Sequence, residues 1–341
     1  IIGPAQGSGR LGGKSSGILL AYKILEAASN KYPELKIKVP RSWYITSDSL
    51  HEFIQYNAME EFANLKYMNI GEIKHGYPYL QQIFKNSAFP PEITKGLAGI
   101  IDQTENIPLI IRSSSLLEDS FEATFAGKYK SLFLPNQGAR AERLNDMIDA
   151  IAEVYASTYG PDPIQYRREK GLLDFNEEMG ILIQEVVGTK AGKYFFPTFA
   201  GVAFTYNEFR WSPRIRREDG AVRLVMGLGT RAVDRVTNDY PFIISPGNPS
   251  IKVNVSYENV KRYSQNYMDV LNLETNKFET LPVRHLVQEI GSQIPGLKHI
   301  ISIDKSGYLM SPLGLFDIDE ADFTVTFQGL IEKTHFLKQI K

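Results

Sequence analysis

Residues Ile110 to Leu134 read IIRSSSLLEDSFEATFAGKYKSLFL. An apolar run ends in Arg112, three serines (Ser113 to Ser115) follow, then the acidic pair Glu118 and Asp119. A Phe-Ala-Gly-Lys turn then sits inside a second apolar run. Short apolar runs bounded by turn residues read as strands. The stretch therefore predicts two strand-like runs joined by a polar loop. It brings together a fixed positive charge, hydroxyls and a flexible backbone turn, as polyphosphate binding requires. A guanidinium fork holds phosphate oxygens bidentately, and glycine lets the backbone approach a ligand. A surface ion pair from Arg112 to Glu118 or Asp119 is the plainer alternative. Ala126-Gly127-Lys128 is equally compatible with an ordinary hairpin turn.

A second glycine-rich element with a lysine, GSGRLGGKSSG, lies at Gly7 to Gly17. Gly7, Gly9 and Gly12 have the spacing of a dinucleotide fingerprint. No strand precedes them, however, and no acidic residue follows at the required distance in a βαβ context. The P-loop pattern fails by one position, because Ser8 stands where its first glycine belongs. What remains is a loop rich in backbone N–H groups, Lys14, and a helix starting just after it, whose positive dipole end suits an anion. A linker ahead of a helix is the alternative. Taken together, the two glycine-bearing elements make a nucleoside triphosphate the leading ligand.

Further along, GILLAYKILEAA (17–28) has the spacing of a buried helix. LKIKVPRSWYIT reads as a strand entering a turn, and Pro90-Pro91 marks a helix start. In FAGKYKSLFL, Tyr129, Ser131 and Phe133 are expected on one face, with Lys128, Lys130 and Leu132 on the other. ARAERLNDMIDAIAEVYASTYG is the clearest helix. Its stripe is Leu144, Met147, Ile148, Ile151, Val154 and Tyr155, and Gly160-Pro161 closes it. The polar stretch 171–178 is the expected lobe boundary, giving lobes at 1–175 and 176–341. MGILIQEVVG, TFAGVAFTY and AVRLVMGLG then follow as strands, and KHIISI and GYLMS as shorter ones. Gln184 and Glu185 end a buried strand, placed to present backbone groups to a purine edge or simply to mark the strand's exit to solvent. GLGTRAVDR (227–235) is a further glycine-rich turn in which Arg231 and Asp234 can pair; a bend between strand and helix is its alternative. This order of elements predicts an α+β protein with mostly antiparallel sheets.

Composition narrows the function. The chain has 341 residues, a net charge of -1, 43% hydrophobic residues and no cysteine. A chain of this size buries a sizeable core in two or three lobes. Near-neutral charge argues against a nucleic-acid or membrane surface, and no apolar run reaches the ~20 residues of a membrane span. Without cysteine there are no disulfides, thiolate zinc sites or cysteine nucleophile, which is compatible with a cytoplasmic location. The five histidines show no zinc-type spacing, and no strand–GxSxG–helix elbow is present. The opening on Ile1 and the helical text at the end are expected for a piece of a longer polypeptide.

With these residues in view, the chain resembles the N-terminal nucleotide-binding domain of the phosphoenolpyruvate synthase and pyruvate phosphate dikinase family. GGKSSG is similar to that family's opening, and RSSSLLEDSFEATFAGKYKSLF to its Arg-Ser-Ser to Ala-Gly run. GVAFTYN and VMGLGTRAVDR are similar to later segments. The resemblance spans about Gly12 to Asp239 and implies an ATP-grasp fold, with two lobes of mostly antiparallel sheet clamping ATP.

The resemblance also implies that Lys14 and Arg112 act on the ATP phosphates as the catalytic pair. Ser113 lies beside them, Gly127 and Lys128 belong to a covering loop, and Gln184, Glu185 and Val187 run along the adenine edge. Gly229 and Arg231 complete the cofactor-binding set. Mg²⁺ is implied with ATP. The family's acidic strand and Gln-x-Arg-Pro are not visible; Asp317-Ile318-Asp319 is only an echo, so the metal ligands stay unassigned. Thr230 stands where synthases have glutamate. In the family, ATP phosphorylates a histidine on a separate domain, and the phosphate passes to pyruvate in a barrel domain. Both domains are expected in the parent polypeptide, and this piece alone is expected to be inactive. A dikinase with an antibiotic or glucan acceptor, and a non-catalytic nucleotide-binding module, remain as alternatives.

Overall fold

In the computed structural model, residues 1–3, 9–29, 37–115, 117, 127–175, 177–233, 239–312 and 322–340 are described. The chain divides into two units, Ile1–Val186 and Val187–Lys341. The first runs α1 (Gly13–Ser29), β1 (Ser42–Ile45), α2 (Asp48–Tyr56), α3 (Ile70–Asn86), α4 (Pro91–Gln103), β2 (Leu109–Ser115), β3 (Ser131–Leu134), α5 (Arg140–Ser157), α6 (Pro161–Glu169) and β4 (Met179–Glu185). The polar stretch 171–178 thus lies inside this unit and leads into β4. It does so because β4 is hydrogen-bonded between β1 and β2.

These strands form one antiparallel sheet in the order β1-β4-β2-β3. Period-two alternation sorts their side chains. Ile45, Ile111, Ile181 and Ile183 join the core with Phe53, Phe84, Met147, Ile151 and Tyr155 of the helices. Phe53 packs its ring 4.5 Å from Phe89 and 5.8 Å from Tyr155. On the other face, Arg112 is in register with Leu182 and Ser131, and Ile110 with Gln184 and Phe133. The helix ends follow local rules: Asn69 and Glu72 form a capping box on α3, and α4 and α6 open on proline.

Two expectations are corrected here. The helix over 13–29 forms, but it is not buried. Leu20, Tyr22 and Ile24 are exposed, and α1 is fastened near its N-terminal end by polar contacts to β2. Tyr129 does not share a face with Ser131 and Phe133. The strand begins only at Ser131, so the preceding turn swings Tyr129 into the core.

The second unit carries β5 (Thr189–Ala191), β6 (Tyr194–Phe196), β7 (Phe199–Phe204), β8 (Ala221–Met226), α7 (Thr230–Val233), β9 (Phe242–Ile244), α8 (Tyr257–Arg262), β10 (Tyr267–Asn272), β11 (Lys277–Pro282), α9 (Val283–Ile290), β12 (Ile301–Lys305), β13 (Tyr308–Met310), β14 (Phe323–Val325), α10 (Gln328–Lys333) and α11 (Phe336–Ile340). Its described strands form three antiparallel sheets, β11-β10-β6-β5, β7-β8-β9 and β13-β12-β14. They enclose a core that includes Phe196, Met226, Met268, Leu286 and Phe327.

Candidate functional site

Gly12 shows why the N-terminal loop can lie on the sheet. Its φ is +75°, and a Cβ there would come 1.7 Å from the Ser114 carbonyl oxygen. Only glycine permits that approach. The Ser114 hydroxyl then donates to the Leu11 carbonyl at 2.7 Å and accepts the Ser15 amide at 3.0 Å, fixing the start of α1. Lys14 extends to the preceding residue of β2, with its Nζ 3.2 Å from the Ser113 carbonyl and 3.1 Å from its hydroxyl. Ser15 is wholly buried, and its hydroxyl has no hydrogen-bond partner among the described residues. On its other side the loop is held by α2: the Gly9 amide donates to Asp48 at 2.9 Å and the Arg10 amide to the Ser47 hydroxyl at 3.1 Å.

Arg112 projects on the sheet face away from the helical core, where Nη1 donates to the Gln184 amide oxygen at 3.4 Å. Gln184 is 6% exposed, and its amide nitrogen donates to the Ser42 hydroxyl at 3.0 Å. Its side chain therefore spans three strands. Glu185 pairs with Arg41, whose Nε lies 2.8 Å away, while Val187 opens the second unit and is exposed. Gly127 has φ +73°, and a Cβ there would meet nothing within 4 Å among the described residues. Lys128 places its ammonium 5.3 Å from the Tyr166 ring centroid. Lys130 pairs with Glu153 at 2.6 Å, and Lys85 reaches the same carboxylate at 2.7 Å. Burial would raise that carboxyl's pKa, but hydrogen bonds from the two lysines outweigh it and hold it below its ordinary value. Gly7, Ser8, Glu118, Asp119 and Ala126 lie outside the described residues.

In the second unit, Gly229 lies between β8 and α7, and Arg231 lies within α7. Arg231 is only 12% exposed. It pairs with Asp239 at 2.6 Å and with Asp269 at 3.1 Å. Thr230 and Thr280 donate their hydroxyls to the same Asp269. Asp239 also accepts the Asn266 and Tyr267 amides. Asp234, the local partner expected for Arg231, and Asp317 and Asp319 lie outside the described residues. Among the described residues, no group of three His, Asp or Glu side chains is arranged to hold a metal ion.

The structure thus brings Lys14 of α1 against Ser113 of β2 and Arg112 against Gln184 of β4, and commits Arg231 to two carboxylates. Sequence reading passed over Ser47, Asp48 and Gly180. The signal for the first two was Ser-Asp ahead of an apolar helix. It reads as an N-cap, but here it serves the neighbouring loop.

Comparison with known proteins agrees with this picture. The family model described as pyruvate phosphate dikinase, AMP/ATP-binding domain, matches residues 8–292. Phosphoenolpyruvate synthase of Neisseria meningitidis is 24% identical over 263 residues, covering 71% of this chain and 30% of that protein. A probable phosphoenolpyruvate synthase of Methanothermobacter thermautotrophicus is 25% identical over 237 residues, covering 66% of this chain and 32% of that protein. The enzyme of Aquifex aeolicus is 24% identical over 183 residues, covering 50% of this chain and 20% of the relative. The chain therefore spans a fifth to a third of these relatives. No described helix is long and apolar enough to cross a membrane. With an α+β, ATP-grasp-like fold and a family match over most of its length, the chain belongs to the pyruvate phosphate dikinase AMP/ATP-binding domain family.

Proposed function

We propose that the chain is the ATP-binding phosphotransfer module of a phosphoenolpyruvate synthase or pyruvate phosphate dikinase-like enzyme. In this reading Lys14, Arg112 and Ser113 hold the phosphates, Gly127 and Lys128 cover them, and Gln184, Glu185 and Val187 follow the adenine edge. The phosphoryl group passes to a histidine on a separate domain and from there to pyruvate, and the protein works in the cytoplasm. The observation that carries the reading is Lys14 Nζ at 3.1 Å from the Ser113 hydroxyl, 99 residues away in sequence and next to Arg112. Lys14 reaches β2 from a distant segment at the residue beside Arg112, and an ammonium with a guanidinium fork suits phosphate oxygens.

Mg²⁺ would accompany the nucleotide. The described residues form no carboxylate set that fits it, so its ligands are not assigned and no step is routed through it. Catalysis in such a module rests on positioning and charge neutralisation. Calorimetric titration of ATP into the chain, repeated with Lys14→Ala and Arg112→Ala and paired with melting curves, tests the reading. Loss of affinity at unchanged melting temperature supports it. Unchanged affinity with lowered melting temperature contradicts it.

A second reading, a nucleotide-binding module without catalysis, is favoured by one observation. Thr230 stands where synthases carry glutamate, and its hydroxyl is already given to Asp269.

A further inference from the structure

Two adjacent carboxylates, Glu177 and Glu178, immediately precede β4, and neighbouring residues of an extended chain point to opposite sides. Glu177 turns inward, with its side chain 4% exposed. It accepts hydrogen bonds from the Ser115 hydroxyl, from the Tyr129 hydroxyl at 2.7 Å and from Arg167 at 3.2 Å. Ser115 ends β2 and Tyr129 follows Gly127 and Lys128, so one carboxylate ties both flanks of that segment together. Arg167 is itself held by the Thr158 carbonyl at 2.7 Å, which anchors the group to the helical core.

Glu178 turns the other way and accepts the Ser47 hydroxyl at 3.2 Å, and that hydroxyl accepts the Arg10 amide. The N-terminal loop is thus braced from the same dipeptide. Two residues later, Gly180 leaves room where a Cβ would meet the Leu11 carbonyl at 3.1 Å and the Ser114 carbonyl at 3.3 Å. The start of β4 is therefore the platform on which both glycine-bearing segments are seated.

Resting on the ATP-binding reading above, we infer that Glu177 and Glu178 are positioning residues that set the two phosphate-binding segments, 9–14 and 127–130, against each other. One carboxylate serves each segment. Neither touches the nucleotide; each acts through the hydroxyl or amide it holds.

Amide hydrogen exchange and ATP calorimetry on the full chain test this. Glu178→Ala is expected to speed exchange at Gly9 to Lys14 at least tenfold and to leave 127–130 unchanged, since local opening follows the loss of local contacts. Glu178→Gln, which keeps an acceptor for Ser47, is expected to restore exchange and affinity to within about twofold. Because Glu177→Ala would strand the buried Arg167, the second arm uses Ser115→Ala with Tyr129→Phe and leaves the Glu177–Arg167 pair in place. That variant is expected to speed exchange around Gly127 and to weaken ATP about tenfold, with a melting temperature lowered by the loss of two hydrogen bonds to a buried carboxylate. Unchanged exchange in both arms overturns the inference. So does an affinity loss that Glu178→Gln fails to rescue. If the wild type binds no ATP, the functional reading falls, and the exchange results still decide the positioning role.

Discussion

Arg112 and Arg231 occupy similar sequence settings, each beside a strand and a glycine-bearing turn, yet the fold uses them differently. Arg231 is enclosed by Asp239 and Asp269, which are 4% and 6% exposed. It cross-links α7, β10 and the residues before β9. Arg112 stands on a sheet face shared with Gln184, and Lys14 contacts the residue beside it. The contrast teaches that a positive charge near glycines is not a ligand site by pattern alone; the surroundings decide. A cation flanked by two buried carboxylates is part of the structure, whereas the role proposed for Lys14 and Arg112 is to hold an anion.

The largest expected effect separates the two arginines. Arg231→Met leaves two carboxylates buried without their cation. It is expected to destabilise the second unit by about 3–5 kcal/mol, read as a clear drop in its melting transition. Arg112→Ala is expected to leave melting nearly unchanged and to weaken ATP about 10- to 100-fold. If both variants melt alike, the distinction between them fails.

Gly12→Ala comes next. Its Cβ would overlap the Ser114 carbonyl and φ is positive, so a loss of about 1–3 kcal/mol is expected. ATP binding should be lost with it, because Lys14 moves with the loop. Binding at wild-type strength would show that the loop's seat on β2 is irrelevant to the ligand.

Lys14→Met, which keeps the aliphatic length, is expected to weaken ATP about tenfold, with an effect that shrinks as salt is raised. A salt-independent loss would point to packing instead.

The smallest effect concerns Glu52, one turn beyond Asp48 on α2. Burial, followed by repulsion from Glu92 and Asp48, raises its carboxyl pKa. A raised carboxyl binds its proton more tightly when folded. Its contribution is therefore favourable below the unfolded pKa and is lost as pH rises through the folded one. Glu52→Gln is expected to raise the melting temperature slightly at neutral pH, and this gain should vanish in acid. A gain that persists at low pH would contradict the sign.

Much of the fold was legible because it follows short-range periodicity. The stripe of α5 and the apolar runs of β2 and β4 lie where their spacing puts them. The exposed face of α1 was not legible, since apolar spacing reports a face and not what covers it. Within the candidate site, Arg112, Ser113 and Lys14 could be named from sequence. The contact of Lys14 with Ser113, and the bracing by Ser47, Asp48 and the carboxylates before β4, rest on contacts between residues far apart in the chain. The same applies to Arg231. The fold pairs it with Asp269, 38 residues away.

The most direct measurement is the dissociation constant of ATP for the wild-type chain beside Arg112→Ala, taken by calorimetry under one buffer condition. Saturable binding that weakens at least tenfold in the variant, with both proteins melting together, is the expected result. Equal affinity in the two proteins, or heat that never saturates in the wild type, would show that the cations on this sheet do not hold a triphosphate.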